Sequence, residues 1–387
     1  MKKLMTITLL LVLLSALAQK PTITCLVSAA WLEAQAQTKP DIITFDAPGA
    51  GTAAGQGTFG LGMTPSQAIE GFYIDGNGAF HGFLRASNGV ITTFDAPGAG
   101  TGPSQGTQPQ SINPAGAITG YYTDASGLSH GFVRVPDGAI ATFDAPGAGR
   151  PGSCSPPVIC SNGTQGASIN PVGAIAGQYS DTSGVFHGFL RSPDGTITTF
   201  DAPGAGTAAS QGTFVTFTDG INPVGAIALG FVDASGMFHA AVRAPDGAFT
   251  AFDPPGSVFT NNSGINPVGT VTSFYIDASG VLHGYVRAPD GAFTLFDVSG
   301  AGTGPGQGTE PLNINAPGDI AGAYIDASGV NHGLLRLKSG AITTFDVPGA
   351  GTGSGQGTTP VYNNPSNAIS GFDIDASGVA HGFLRIR

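Results

Sequence analysis

All seven histidines of the chain stand in one motif, His-Gly-Phe-Leu-Arg or a variant of it, at His81, His130, His187, His239, His283, His332 and His381. Two aspartate series keep step with them. One closes a Phe-Asp motif at Asp46, Asp95, Asp144, Asp201, Asp253, Asp297 and Asp346; the other opens turns such as Asp124-Ala125-Ser126-Gly127. Turn aspartate to histidine is 6 residues in every copy, and histidine to the next Phe-Asp aspartate is 14. A histidine held by a carboxylate is the raw material of acid–base chemistry. Seven copies of one catalytic pair would be superfluous, so these histidines and Phe-Asp aspartates are read as structural pairs, satisfied by hydrogen bonds inside a repeated sheet.

The pairing register follows from the turns. Pro136-Asp137-Gly138 suits a three-residue hairpin loop, which sets His130 opposite Asp144. With Ala125-Ser126-Gly127 as the preceding loop, Tyr122 lies opposite His130. One row thus crosses three strands, and Tyr73, Tyr122, Tyr179, Phe231, Tyr275 and Tyr324 hold its first place in six repeats. In the seventh that place belongs to Asp373, which faces His381, which faces Asp46. One histidine would then lie between two carboxylates. Two negative charges favour imidazolium, so His381 is expected to have the highest pKa of the seven. Asp46, His381 and Asp373 are the candidate metal or cation site, or acid–base centre; the alternative is a solvated Asp373 at the rim.

Other acids break the repeat: Glu70, Glu310, Asp219, Asp319 and Asp373. Their convergence in one pocket near a central channel would support an enzyme acting on a carbohydrate; their scatter would remove that support. There is no H-E-x-x-H, no defensible Ser-His-Asp spacing, and no Gly-Lys-Ser/Thr after glycine-rich loops such as Pro97-Gly-Ala-Gly-Thr-Gly102. The Asp-x-x-Gly turns lack the alternating ligands and terminal glutamate of a calcium loop. No catalytic residue and no cofactor is assigned. Cys154 and Cys160, with five residues between them in the longest insertion, read as a loop-stapling disulfide in an exported chain.

The elements that position these residues can be read from the same spacings. Phe-Asp to the next turn aspartate runs 29, 29, 37, 32, 24, 29 and 29 residues, so every insertion and deletion falls in one segment of the repeat. In the second copy, strands are expected near 107–112, 117–123, 128–135 and 139–144, separated by turns rich in Asn, Pro, Asp and Gly. The repeats open at Asp41 with a lone fourth strand and close at Arg387 with a third strand lacking its fourth. Complementary ends suit a ring. The expected fold is all-β: a seven-bladed β-propeller of four-stranded antiparallel blades, closed by the N-terminal strand pairing into the last blade. Hairpin turns within each unit argue against a parallel β-helix.

Composition agrees. The chain has 387 residues with 62 Gly and 28 Pro, yet 41% hydrophobic residues and 24 Phe, enough to bury a core. Charged residues are 10%, which argues against helical bundles and coiled coils. Lys2 and Lys3 precede an apolar run from Leu4 to Ala18, the pattern of a signal peptide over 1–36, with cleavage after Ala18 or Ala36. Residues 37–40 are a linker, and 41–387 a single domain with no apolar run of spanning length. From Asp41 onward, 10 Lys and Arg meet 24 Asp and Glu, a net charge of −14, so nucleic acid is not an expected partner.

The repeated His-Gly-Phe, Thr-Phe-Asp, Ile-Asn-Pro-x-Gly and Asp-x-Ser-Gly resemble the HAF family of extracellular repeat proteins, named for a His-Ala-Phe motif. The resemblance covers 41–387; His239-Ala240-Ala241 departs at the aromatic. It implies export and repetition and carries no reaction. The sequence therefore reads as a secreted, periplasmic or cell-surface protein, a monomer, non-enzymatic, presenting loops to an extracellular glycan or protein.

Overall fold

In the second repeat the strands Gly106–Ile112, Ile118–Thr123, Ser129–Arg134 and Ile140–Phe143 pair antiparallel in succession. They match the expected strands to within about a residue at either end, the usual uncertainty of strand ends. Polar side chains set the turns between them. Asn113 Oδ1 accepts from the backbone N–H of Ala115 and Ala117, Asp124 Oδ1 from Ser126 and Leu128, and Asp137 Oδ1 from Ala139. Each turn closes on a glycine at positive φ, Gly116, Gly127 and Gly138, where a β-carbon would be strained.

The structure, a computed structural model, describes residues 41–149, 163–215 and 219–386. The signal peptide and linker expected over 1–40, and Cys154 and Cys160, lie outside the described residues. Ile42–Ile386 form one compact unit. The protein is all-β, with no helix among the described residues, and no helix there is long and apolar enough to cross a membrane. The fifth repeat is the irregular one: its first strand is broken into Ser257–Thr260 and Gly264–Ile265, where the preceding connection is shortest.

Successive repeats are joined by four devices. The first is a one-residue parallel bridge, as between Phe80 and Gly106. A β-carbon on Gly106 would stand 2.0 Å from the Phe80 carbonyl oxygen, and φ there is +111°, so the Gln105-Gly106-Thr107 connection requires its glycine. Through such bridges the ladders run on from repeat to repeat as one 21-stranded and one 8-stranded sheet. The second is the core, which lies between repeats: Leu84 and Phe94 of the first pack on Ile112, Ile118, Tyr122 and Phe132 of the second. The third is an arginine laid over the preceding repeat's Phe-Asp ring, as Arg134 over Phe94 at 5.0 Å. The fourth was not legible as more than a turn residue. Asn113 Nδ2 donates to the Asn170 carbonyl, Asn170 to that of Asn222, and Asn222 to that of Asn266. Asn315 likewise donates to Asn364, and Asn364 to Pro65.

The first and seventh repeats are joined by the same devices. Asp41–Phe45 pairs with Ala380–Ile386, Gly57 bridges Ala380, and Arg85 lies over Phe45 at 5.0 Å. Met63 and Ile69 of the first repeat share a core cluster with Ala368 and Leu384 of the seventh.

Candidate functional site

The turn aspartates, the histidines and the described connections after the Phe-Asp motif meet on one face. Gly100 donates its N–H to the Thr123 carbonyl, Gln105 Nε2 donates to Ala125, and Ser104 N–H to Gly78, so the 95–106 connection is pinned onto the turns at 75–78 and 124–127. The arginine of each His-Gly-Phe-Leu-Arg strand lies toward the opposite end, four residues on.

The derived register is the observed one: Tyr122 pairs with His130, and His130 Nδ1 reaches Asp144 at 2.9 Å. The same Nδ1–carboxylate contact recurs in all seven repeats at 2.8–3.0 Å. An ionised carboxylate only accepts, so Nδ1 carries the proton and donates. The other ring nitrogen faces the turn aspartate of its own repeat, 3.4–3.7 Å away. Each histidine therefore stands between two carboxylates, and His381 is not alone in this. The constant spacing of 6 held the signal for the second carboxylate, but the turn aspartates were assigned to turn chemistry only. They do that work too, and their backbone hydrogen bonds hold carboxyls such as Asp277 and Asp326 below the usual range.

The pairs were expected inside the sheet. They are at its rim, where the histidines are 19–30% exposed and the Phe-Asp aspartates 40–57%. The reason is position: the Phe-Asp aspartate follows the last residue of its strand, so its carboxylate reaches water. Exposed pairs of this kind contribute at most about 1 kcal/mol each.

The seventh repeat departs from this frame at one place. Elsewhere an aromatic ring stacks on the histidine, as Tyr122 does on His130 with centroids 5.0 Å apart and planes 24° apart. Here Asp373 pairs with His381 in the same register. The alternative of a solvated Asp373 fails: it is 2% exposed, and its Oδ1 has no hydrogen-bond partner. Burial drives its pKa up to about 6, against the pull of His381. Burial also works against the His381 imidazolium, but the hydrogen bond to Asp46 and the charges of Asp46 and Asp373 outweigh it, and its pKa is raised. His239 is raised as well, through Asp253 and Asp233. Among the described residues no group of three or more His, Cys, Asp or Glu is placed to hold a metal ion.

The remaining off-consensus acids do not meet there. Glu70 is fully buried, accepts the Gly62 N–H through Oε1, and is pushed up to about 8 by burial. Glu310 is raised by burial alone. Asp219 is raised to about 6 by burial despite the hydrogen bond that Asn313 donates to it. From Asn313 a polar chain continues: its Oδ1 accepts the Asn363 N–H, Asn363 Nδ2 donates to the Asp319 carbonyl, and Asn367 donates to the Asp319 carboxylate. Two of the five acids are thus linked by asparagines. Among the described residues Glu70 accepts the Gly62 N–H and stands outside this chain.

No family model matches the chain, and no curated protein matches it. Among solved structures, TolB from Acinetobacter baumannii is similar over 85% of this chain at 11% identity, with a TM-score of 0.44; the chain spans 63% of its length. The BP39L lectin from Burkholderia pseudomallei is similar over 84% of this chain and 98% of its own, at 14% identity and a TM-score of 0.45. A fungal lectin from Aleuria aurantia, described as a six-bladed β-propeller with a novel fucose recognition mode, is similar over 79% and 94%, at 14% identity and a TM-score of 0.39. These likenesses assign no ligand to this chain.

Proposed function

We propose that the chain is an exported binding protein of the HAF type: a seven-bladed β-propeller, closed by its N-terminal strand, that presents an acidic loop-bearing face to an extracellular glycan or protein. Support for the ring comes from the pairing of Asp41–Phe45 with Ala380–Ile386 and the core shared by the first and seventh repeats. One observation carries the binding reading. The connections after the Phe-Asp motif, such as 95–106, lie on the same face as the histidine–aspartate rim, anchored on a frame that is otherwise repeated. Variation carried by loops on a rigid scaffold is how binding faces diversify. The enzyme reading rests on the off-consensus acids, of which Asp219 and Asp319 are linked through asparagines while Glu70 accepts the Gly62 N–H instead.

The test is a glycan and metabolite binding screen on the secreted, processed protein, repeated on a variant whose 95–106 connection is replaced by glycine and serine. Binding that the variant loses supports the proposal. Turnover of a carbohydrate that disappears in Asp219→Asn would overturn it in favour of an enzyme.

A further inference from the structure

The first strands of the repeats surround a common interior. Asn313 of the sixth repeat donates to Asp219 of the fourth, passing over the fifth, and the Asp219 charge adds to the burial that raises the Tyr362 phenol of the seventh. Along these strands the third residue is partly exposed in five repeats, Phe59, Gln108, Phe214, Glu310 and Thr359, although the residues before and after it are buried. Their side chains therefore face open space on the inner side of the strands.

In most repeats this residue has a partner. Phe59 stacks on Phe72 with centroids 4.9 Å apart, Gln108 accepts from the Tyr121 hydroxyl at 3.0 Å, Gln165 accepts from Gln178 Nε2 at 3.1 Å, and Phe214 lies 4.4 Å from Phe186. Glu310 has none. It is paired with Ala323, which offers it only a methyl group. Its carboxylate accepts no hydrogen bond among the described residues and, unlike those of Glu70 and Asp373, has no oxygen sealed from solvent. Burial nevertheless raises its pKa. A carboxylate that water reaches and that the surrounding protein still desolvates stands in a recess.

The wall beside it is aromatic. Phe214, Phe238, Phe259 and Phe274 follow one another at centroid distances of 4.7–6.2 Å, and all four are partly exposed. Phe274 ends this run beside Glu310. Its equivalent in the seventh repeat, Phe372, lies 5.0 Å from Phe59, and its equivalent in the third, Gln178, accepts the Val215 N–H next to Phe214. The strands that carry Phe274 and Glu310, Val271–Asp277 and Gly308–Ile314, lie against each other in the same way.

The partner that Glu310 lacks has a definable chemistry. An ionised carboxylate only accepts, so the partner must donate hydrogen bonds. A desolvated carboxylate is costly until it is paired, so the partner must be positive. The adjoining ring faces attract a cation and take up apolar surface. An ammonium group on an apolar body meets all three demands. It would enter from the loop-bearing side, where these strands begin, because three residues further along Asn313 is tied to Asp219.

We propose that the recess between Glu310 and Phe274 binds an organic ammonium ion, whose N–H groups donate to the Glu310 carboxylate and whose carbon body lies against the phenylalanine faces. The site rests on the reading of the chain as a closed ring, and it is separate from the loops that the 95–106 replacement tests.

The test is a calorimetric titration of the processed protein with n-hexylammonium at low salt. One saturable site is expected. Glu310→Gln, nearly the same in size, should weaken binding about tenfold or more, the worth of a hydrogen bond to a charged group. Glu310→Thr, which installs the residue that the seventh repeat carries at Thr359, is a second variant expected to fold and should weaken binding as strongly. 1-Hexanol has the body without the charge, and methylammonium the charge without the body; each should bind far more weakly. Undiminished binding by Glu310→Gln, equal affinity for 1-hexanol, or no saturable binding by wild type would each overturn the site. A neutral glycan that displaces hexylammonium and binds Glu310→Gln as well as wild type would also overturn it, making the recess a sugar site. The 95–106 replacement separates this inference from the loop-face reading. Hexylammonium binding that survives the replacement supports the recess, whatever becomes of the loop-face ligand. Hexylammonium binding lost with the connection but kept in Glu310→Gln moves the amine to the loops, which overturns the recess and leaves the loop face standing.

Discussion

The second and seventh repeats share a backbone and differ in one row. Both place a histidine between a Phe-Asp carboxylate and a turn carboxylate, at 2.9 Å and 3.6–3.7 Å. In the second repeat Tyr122 covers the imidazole. In the seventh a buried acid stands there and the imidazole face is bare. The seventh repeat also pairs its last strand with Asp41–Phe45, from far earlier in the sequence. The shared features are therefore frame, because they survive the exchange, and the feature that differs is the place to look for something the frame does not need.

The comparison can be broken most severely at the strand that only the seventh repeat borrows. Removing residues 41–46 takes away Phe45, which lies under Arg85 and against the seventh repeat's Leu384, and takes away Asp46. Fully burying a phenylalanine is worth about 1.5–3 kcal/mol, an upper bound for the half-buried Phe45, and the deletion also leaves Ala380–Ile386 with an unpaired edge. The truncated protein should lose several kcal/mol in denaturant titrations and aggregate on concentration. Unchanged stability would mean that the seventh repeat does not depend on its borrowed strand, unlike the second on 140–143.

How much of this was legible in the sequence depends on locality. The strands, the turns and the Tyr122–His130–Asp144 row follow from constant spacings and short hairpin loops, which fix register within a repeat. Asp373 was visible because one position in seven broke a pattern. The asparagine series was not seen for what it does, since Asn113 reaches Asn170 across 57 residues and its local role in the turn already accounted for it. The burial of Asp373 was missed for a similar reason: register says which residue it faces, whereas exposure depends on how neighbouring repeats close over it. The exposure of the histidine–aspartate pairs was misjudged because strand ends were treated like strand middles.

A smaller effect sharpens the difference between the two repeats through pH. Asp373 has its folded pKa raised from 3.8 to about 6, so the folded state binds this proton more tightly than the unfolded chain. That contribution is present at about pH 4 and is lost as pH rises through about 6. His381, also raised, acts in the same direction, its stabilisation declining as pH rises through its folded pKa. Asp46 and Asp375 face the same imidazole, and Asp375 is lowered, so its contribution is lost at the acid end instead. Relative to Asp373→Asn, wild type should lose up to about 3 kcal/mol between pH 4 and pH 7, the equivalent of a shift of about two pKa units in a buried carboxyl. Parallel stability curves for the two proteins would mean that the carboxyl of Asp373 finds a partner or water that the structure does not give it.

The smallest expected effect is on His381 itself, and it orders the carboxylates around the ring. Burial opposes the charged form; the hydrogen bond and the charge of Asp46 come next in size, and the charge of Asp373 after them. Asp46 touches Nδ1 directly, so replacing it removes a hydrogen bond as well as a charge. Asp373 acts through space from a site where it shares its own proton near pH 6, which further reduces its hold at that pH. By NMR, the His381 midpoint should fall in Asp46→Asn and fall less in Asp373→Asn. Added salt should shrink the second change less than it would for an exposed pair, since a buried charge is poorly screened. Asp373→Asn suits this measurement better than Asp373→Tyr, whose ring would also desolvate the imidazole and lower the midpoint for a second reason. A midpoint that falls more in Asp373→Asn than in Asp46→Asn would invert the order, and the histidine would then belong to the off-consensus acid more than to the repeated frame.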